Sequence, residues 1–288
     1  MIDRYHLRYF LAVIDRGNFS RAADACNVSQ PTLSVGIAKL EKALGKPLFL
    51  RSNRRVELTE AGTLLAEQAR RIEAGFLAAE RAVGESAMVE TVRLGVVGTI
   101  APDWIDRLLR AHRLAGGGRL ELYEGREREL SDRLASGRID AALTIVRAGT
   151  GPHDVIVKEG YAMALPPFHP LAGRTHVAAE ELAGEPMIVR RHCEALADTS
   201  RHFTTYGVRP FFAARTASDE RALRYVREGL GVTLVPESYA GAGLACPRLD
   251  GFDLTRTLGL VYAPHIDRVR LAGGALARAI AQLGQFSG

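Results

Sequence analysis

Apolar positions near the start of the chain recur at helical spacing. Leu7, Phe10, Leu11 and Ile14 form one stripe, and Gly17 ends the helix they predict. A short helix is predicted next, from about Ser20 to Cys26, kept slim by Ala22, Ala23 and Ala25. Asn27 and Val28 supply a turn. Ser29 can cap a following helix, and Pro31 fits only in a first turn, where its missing N–H costs nothing. Leu33, Ile37, Leu40 and Leu44 then mark one buried face, and Gln30, Thr32, Ser34, Val35 and Lys39 the opposite one. A slim helix, a turn and a polar-faced second helix is how a helix-turn-helix sets one helix in the major groove. An ordinary helical hairpin shows the same pattern.

Gly45 and Pro47 stop the second helix, and Leu48–Leu58 reads as two short strands around a polar turn carrying Arg51, Arg54 and Arg55. A basic hairpin placed there suits phosphates or the minor groove, as a wing. Thr59 then caps a long helix. Its Leu65, Ala69, Ile72, Phe76, Ala79 and Val83 alternate at four and three residues, the a/d seam of a coiled coil, and predict dimerisation. Small residues at 84–91 suggest a hinge. From Thr91 the pattern becomes alternating strands and helices, beginning with the strand Val92–Val97 and including Val155–Leu165 as one strand, Leu258–Tyr262 as the last strand and Arg268–Leu283 as a final helix. The fold class expected is α/β, with mainly parallel sheets in two lobes, behind an N-terminal all-α winged helix-turn-helix.

Composition changes this picture little, and charge placement somewhat more. At 288 residues there is room for roughly two domains. Residues 1–58 carry ten Lys/Arg against five Asp/Glu, whereas 59–90 carry three against six. The basic excess therefore lies where phosphate contact is expected. Three cysteines, Cys26, Cys193 and Cys246, stand far apart, which points to a reducing cytoplasm rather than a disulfide framework. Neither an apolar signal core nor a membrane-spanning run is seen, so no membrane partner is expected. Gly-x-Ser-x-Gly, P-loop, dinucleotide-binding and His-Glu-x-x-His motifs are missing, so neither an enzyme nor a bound cofactor is expected.

Many of these residues resemble the LysR-type transcriptional regulators. The matching positions are Leu7 and Phe10, Asn18-Phe-Ser-Arg-Ala-Ala23, Val28-Ser-Gln-Pro31, Leu33-Ser34, Ile37, Leu40-Glu41, Leu44-Gly45, Leu48-Phe49, Arg51, Arg54, Leu58-Thr59 and Ala61-Gly62. Weaker likenesses follow at Arg93-Leu-Gly-Val96, at Leu134, Gly137 and Asp140, and from Val226 to Pro236. The resemblance implies a DNA-binding domain at 1–58, a linker helix and hinge at 59–90, and an effector domain at 91–288 like that of periplasmic binding proteins. Lobe I would be 91–161 with 266–288 and lobe II 162–265, with crossovers near 158–164 and 258–264. It further implies a homo-oligomer, dimer or tetramer, that binds double-stranded DNA and answers to a small-molecule effector, with RNA polymerase as a candidate partner. One departure stands out: the residue after Ser34 is usually basic or polar in the family and is Val35 here. Valine can touch a thymine methyl but donates nothing to a guanine edge.

Gln30, Pro31, Thr32, Ser34 and Val35 are the candidates for groove contact, and Ser29, Lys39, Arg51, Arg54 and Arg55 for phosphates. For the effector, the carboxyl ends of strands and the following helix N-termini point to Thr99, Ile100, Thr144, Thr216 and Ser218. Arg147 and Arg190 could pair with a carboxylate, so an anion is one candidate ligand. Simple helix capping and solvated arginines account for the same residues. His192-Cys193 is similar to a pair in peroxide-sensing members of the family, which carry a partner cysteine nine residues on; here that position is His202. A thiol redox sensor on the same scaffold is thus the competing reading. The spacing of His192, Cys193 and His202 is not that of a zinc motif, and no metal is expected. A transport protein that binds solutes would share the 91–288 fold but would lack the helix-turn-helix.

Overall fold

The computed structural model describes residues 1–50, 56–84, 91–241, 243–264, 266, 268, 271 and 274–283. The chain divides into two compact units. The first is Met1–Met88 with Asp132–Arg138 and Ala263–His265, and the second is Val89–Ser131, Ile139–Tyr262 and Ile266–Gly288.

The first unit starts with α1 (Arg4–Arg16), α2 (Phe19–Ala25) and α3 (Gln30–Leu44). Asp3 caps α1 by accepting from the Tyr5 N–H at 2.7 Å, and Gly17 ends it at φ 63°, a conformation that a side chain would strain. Asn18 caps α2 by accepting from the N–H groups of Ser20 and Arg21, so α2 starts a residue earlier than its alanines suggest. Asn27 turns the chain at φ 54°. The Ser29 hydroxyl accepts from Thr32 N–H, and Pro31 lies in the first turn of α3, as their chemistry requires. Val13, Ala22, Ala23, Leu33 and Ile37 form one buried cluster. Removing each large side chain from water contributes about 1.5–3 kcal/mol. The approach of α1 to α3 depends on Gly36, because a Cβ there would lie 2.6 Å from the Tyr9 ring.

After α3, the expected two-stranded wing shows, among the described residues, the antiparallel bridge Phe49 to Leu58, with Leu50 N–H donating to Glu57 O at 2.8 Å. Its tip, with Arg51, Arg54 and Arg55, lies outside the described residues. Thr59 opens α4 (Glu60–Gly84): its hydroxyl accepts from Gly62 N–H and donates to Pro47 O. The expected seam on α4 divides in two. Leu65 and the fully buried Ala69 pack with Leu7, Phe10 and Leu40 of their own unit. Ile72, Phe76 and Ala79 stay exposed, and the side chain of Val83 lies outside the described residues. Arg4 braces this half of α4. Its guanidinium grips Glu73 at 2.9 and 3.0 Å, reaches Glu80 at 2.8 Å and sits 4.4 Å over the Phe76 ring.

The second unit holds two lobes. In lobe I, β1 (Thr91–Val97), α5 (Pro102–Leu114), β2 (Arg119–Gly125), α6 (Glu127–Ala135), β3 (Ala141–Ile145) and β4 (His153–Glu159) follow one another. Lobe II contains β5 (Tyr161–Ala164), β6 (His176–Val177), β7 (Met187–Arg190), α7 (Leu196–Thr205), β8 (Phe212–Thr216), α8 (Asp219–Arg227), β9 (Thr233–Pro236) and β10 (Arg248–Leu249). The chain then returns through β11 (Arg256–Tyr262) to α9 (Ala275–Ala281). The first sheet has the order β2-β1-β3-β11-β4, with β1 parallel to β2 and β3 and β11 antiparallel to both neighbours. The second has the order β6-β10-β5-β9, and the parallel pair β7-β8 meets it through the bridge Met187 to Val232.

Three expectations change here. The sheets are mixed rather than mainly parallel, because the chain leaves lobe I once and re-enters it. The single strand expected over 155–165 breaks at Gly160, whose two sides join different sheets. Finally, β11 belongs to the first sheet, so lobe I resumes at Arg256 rather than at 266 and the second crossover precedes β11 instead of lying at 258–264. Apolar periodicity reports that a strand is buried and says nothing of which sheet buries it.

Candidate functional site

On α3, Ser29, Gln30, Pro31, Thr32 and Lys39 are exposed, Ser34 is half-buried and Val35 is 54% exposed. The polar groups are already ordered. Gln30 Nε2 donates to Ser34 Oγ at 3.1 Å, one turn on, and the hydroxyls of Ser29 and Thr32 lie 2.8 Å apart. This arrangement offers a fixed amide and hydroxyl next to an exposed apolar patch, the chemistry that reads base edges and thymine methyls. Lys39 follows further along the helix, where a cation suits a phosphate.

In the second unit, a cleft of about 850 Å³ is walled by both lobes. Thr99 and Ile100 come from lobe I; Cys193, Glu194, Ser218 and Asp219 come from lobe II. Thr99 and Ile100 are buried, and their polar atoms are bound internally. Arg256 Nη1 donates to Thr99 O at 3.0 Å and to Thr99 Oγ1 at 3.1 Å. The Tyr239 hydroxyl lies 3.3 Å from Ile100 O and 2.9 Å from Asp219 Oδ2. Ser218 caps α8 by accepting from Arg221 N–H at 3.3 Å, and Thr216 Oγ1 accepts from Ser218 N–H at 3.0 Å. Thr144 is buried in β3 with its hydroxyl unpartnered among the described residues, and it does not line the cleft.

Neither arginine singled out from the sequence lines the cleft. Arg190 is 2% exposed; it holds Asp219 through both nitrogens of a fork and donates to Leu234 O at 2.9 Å. Burial works against its charge, and the Asp219 carboxylate outweighs burial, so its pKa rises. Arg147 is paired with Glu127 on the surface. Pattern reading treats an arginine at a strand end as free, whereas each of these neutralises an acidic residue 20 or 29 positions away.

The structure adds a network that sequence reasoning missed. Arg256, on β11, is 2% exposed and lies between two carboxylates. Its Nε donates to Glu159 Oε1 at 2.9 Å, and its Nη1 donates to Glu194 Oε1 at 2.8 Å. The Tyr161 hydroxyl donates to the same Glu194 oxygen at 2.8 Å. Burial works against ionisation of Glu194, but Arg256 together with hydrogen bonds from the backbone and Tyr161 outweighs it and holds that carboxyl below its ordinary range. The one signal in the sequence is a charged residue beside the apolar run Leu258–Tyr262.

Cys193 sits beside this network, its Sγ 3.7 Å from Arg190 Nη1. Burial pushes the thiol pKa up, and Arg190 offsets only part of that. His202 packs at a tilt against Tyr206, ring centroids 4.9 Å apart, and edge to face with Phe252 at 5.4 Å, and burial lowers its pKa. Among the described residues, no group of His, Cys, Asp and Glu is arranged to hold a metal ion. No helix among them is long and apolar enough to cross a membrane.

Comparison with known proteins covers both units. A family model described as "Bacterial regulatory helix-turn-helix protein, lysR family" matches residues 5–63, and one described as "LysR substrate binding domain" matches 86–277. A hydrogen peroxide-inducible genes activator from Pectobacterium carotovorum subsp. carotovorum is 33% identical over 286 residues, 90% of this chain and 89% of the relative. A probable hydrogen peroxide-inducible genes activator from Mycobacterium avium is 38% identical over 240 residues, 81% of this chain and 77% of the relative. Among solved structures, a full-length OxyR variant from Pseudomonas aeruginosa superposes with a TM-score of 0.57 at 24% identity, over 99% of this chain and 95% of that one. That likeness supports the fold.

Proposed function

The chain belongs to the LysR family of bacterial regulatory helix-turn-helix proteins, DNA-binding transcription regulators, and we propose that a small molecule held in the cleft of the second unit controls it. The observation carrying this reading is the wall composition: Ile100 comes from one lobe and Ser218 from the other, so an occupant touches both. A ligand that prefers one lobe angle shifts the population toward that angle. In the first unit, Gln30, Pro31, Thr32, Ser34 and Val35 enter the major groove. Ser29, Lys39, Arg51, Arg54 and Arg55 meet phosphates. The exposed half of α4, at Ile72, Phe76 and Ala79, pairs with a second copy of the chain. The working compartment is the cytoplasm.

The test starts from the DNA bound in cells, which supplies an operator and a reporter. Ser218→Trp fills the cleft beside α8. It is expected to abolish the reporter's response to its signal while operator affinity stays within twofold. A variant that responds like wild type sinks the cleft reading.

A second reading is peroxide sensing, favoured by the names of the relatives and by the Arg190–Cys193 contact. There the Cys193 thiolate would attack one peroxide oxygen, forming S–O as O–O breaks and hydroxide leaves; sulfur is oxidised by two electrons to sulfenic acid. With His202 nine residues on, no disulfide forms at that spacing. A peroxide response that vanishes in Cys193→Ser would establish this reading.

A further inference from the structure

We infer that the cleft takes a small molecule bearing a protonated nitrogen, drawn to the Glu194 carboxylate in its wall. The inference rests on the cleft being the effector site. Its lining contains seven carboxylates against three arginines. Several of the carboxylates are spoken for: Asp219 by Arg190, Glu127 by Arg147 and Glu129 by Arg126. Asp106 and Glu124 have no ion-pair partner among the described residues, and both are exposed.

Glu194 is the decisive group. Its side chain is 9% exposed, a backbone N–H also reaches the carboxylate, and both side-chain donors, from Arg256 and Tyr161, share Oε1. Its Oε2 is buried and has no hydrogen-bond partner among the described residues. Arg256 cannot neutralise it alone, because the same guanidinium serves Glu159, itself 4% exposed on its side chain. One buried positive charge thus faces two buried negative ones, and an excess negative charge lies in the cleft wall. A buried carboxylate that shares its countercharge is costly, and a cation held in the cleft offsets its charge. Arg128 and Arg191 also line the cleft, but both are exposed and screened by solvent, whereas the Glu159–Arg256–Glu194 group is not. The apolar walls at Val97, Ile100 and Ile105 suit a short alkyl or aryl body.

The experiment uses the full chain and three probes of one shape: butylamine, butan-1-ol and butanoate, each titrated by calorimetry. Butylamine is expected to bind saturably and at least tenfold more tightly than butan-1-ol, with butanoate the weakest. Glu194→Gln should cost butylamine at least tenfold. Because that change touches a buried network, Asp106→Asn with Glu124→Gln serves as a second variant. It alters only exposed groups and should weaken butylamine severalfold. Ser218→Trp should abolish binding. If butanoate binds more tightly than butylamine and Ser218→Trp removes it, the cleft is the ligand site and the cationic preference is wrong. Butylamine binding that survives Ser218→Trp, or no binding of any probe, also overturns the inference. The cleft reading falls separately, if the Ser218→Trp reporter still answers its signal.

Discussion

The recognition face of α3 and the cleft of the second unit both present polar chemistry, and they manage charge in opposite ways. From Gln30 to Val35 the exposed groups are neutral, and they are held by hydrogen bonds three or four residues apart. Behind the cleft wall a group of charges is buried, and their partners are far apart in sequence: Arg256 meets Glu159 across 97 residues and Thr99 across 157. A neutral exposed face pays little desolvation and can exchange water for base edges one bond at a time. A buried charged network is worth little as a whole yet expensive to break, because a lost partner leaves a charge uncompensated. The first arrangement suits graded discrimination among DNA sequences, and the second suits a site with discrete states.

The sharpest way to break the comparison is Arg256→Met. It strands Glu159 and Glu194 in the interior and should destabilise the second unit by about 3–5 kcal/mol. Adding Glu159→Gln and Glu194→Gln should recover much of that loss, since replacing all three charges removes the uncompensated ones. Denaturant unfolding reads both; a single variant as stable as wild type would mean the network carries no such penalty. The same network predicts a pH dependence. Glu194 has a folded pKa below the unfolded value of about 4.3. Its contribution is therefore complete above that value and is lost as pH falls through the lowered folded pKa. Glu194→Gln should flatten the acid limb of the stability profile there.

The next effect is on assembly. Ile72→Glu with Phe76→Glu places like charges on the exposed half of α4 and should shift the protein to a smaller species, with operator affinity falling in parallel. Light scattering measures the mass. An unchanged mass would assign the oligomer contact elsewhere. Leu65 and Ala69 are poor targets, because they hold the first unit's own core.

The two regions also differ in how far residue order alone reveals them. The three-helix core, the Ser29 cap and the glycine stops at 17 and 45 follow from spacings of a few residues, and periodicity measures exactly that range. The α4 seam was legible as a stripe, but not where the stripe stops serving its own unit, since that depends on Leu7 and Leu40. In the effector unit, strands and helices were legible, and sheet membership was not. Gly160 and Arg256 fix the crossovers, and both act through partners at great sequence distance: Gly160 N–H donates to Glu237 at 3.0 Å. Cleft residues such as Thr99 and Ser218 could be placed from strand ends. Glu194 and Arg256 could not, because an ion pair between distant residues leaves no local pattern.

Gln30→Ala tests the neutral face. Removing the amide should cost about 1–3 kcal/mol at the cognate operator, if the amide makes a bidentate contact, and almost nothing on random DNA. The loss is confined to specificity, so competition between operator and random duplex reads it directly. Equal weakening on both would show that Gln30 meets the backbone.

Lys39→Ala should have the smallest effect and the opposite signature. Lys39 is exposed on α3, beyond the neutral stretch, and has no ion pair among the described residues. A lysine there neutralises one phosphate and releases its condensed counterion, which is a contribution independent of sequence. Its loss should weaken operator and random DNA alike, and should lower the slope of log affinity against log salt by about 1. The absolute change depends on salt, so the slope is the safer measurement. A loss confined to the operator, with the slope intact, would move Lys39 into the groove, where a lysine reads guanine. The readout of this protein would then rest on a charge after all, and the contrast between its neutral face and its charged cleft would be weaker.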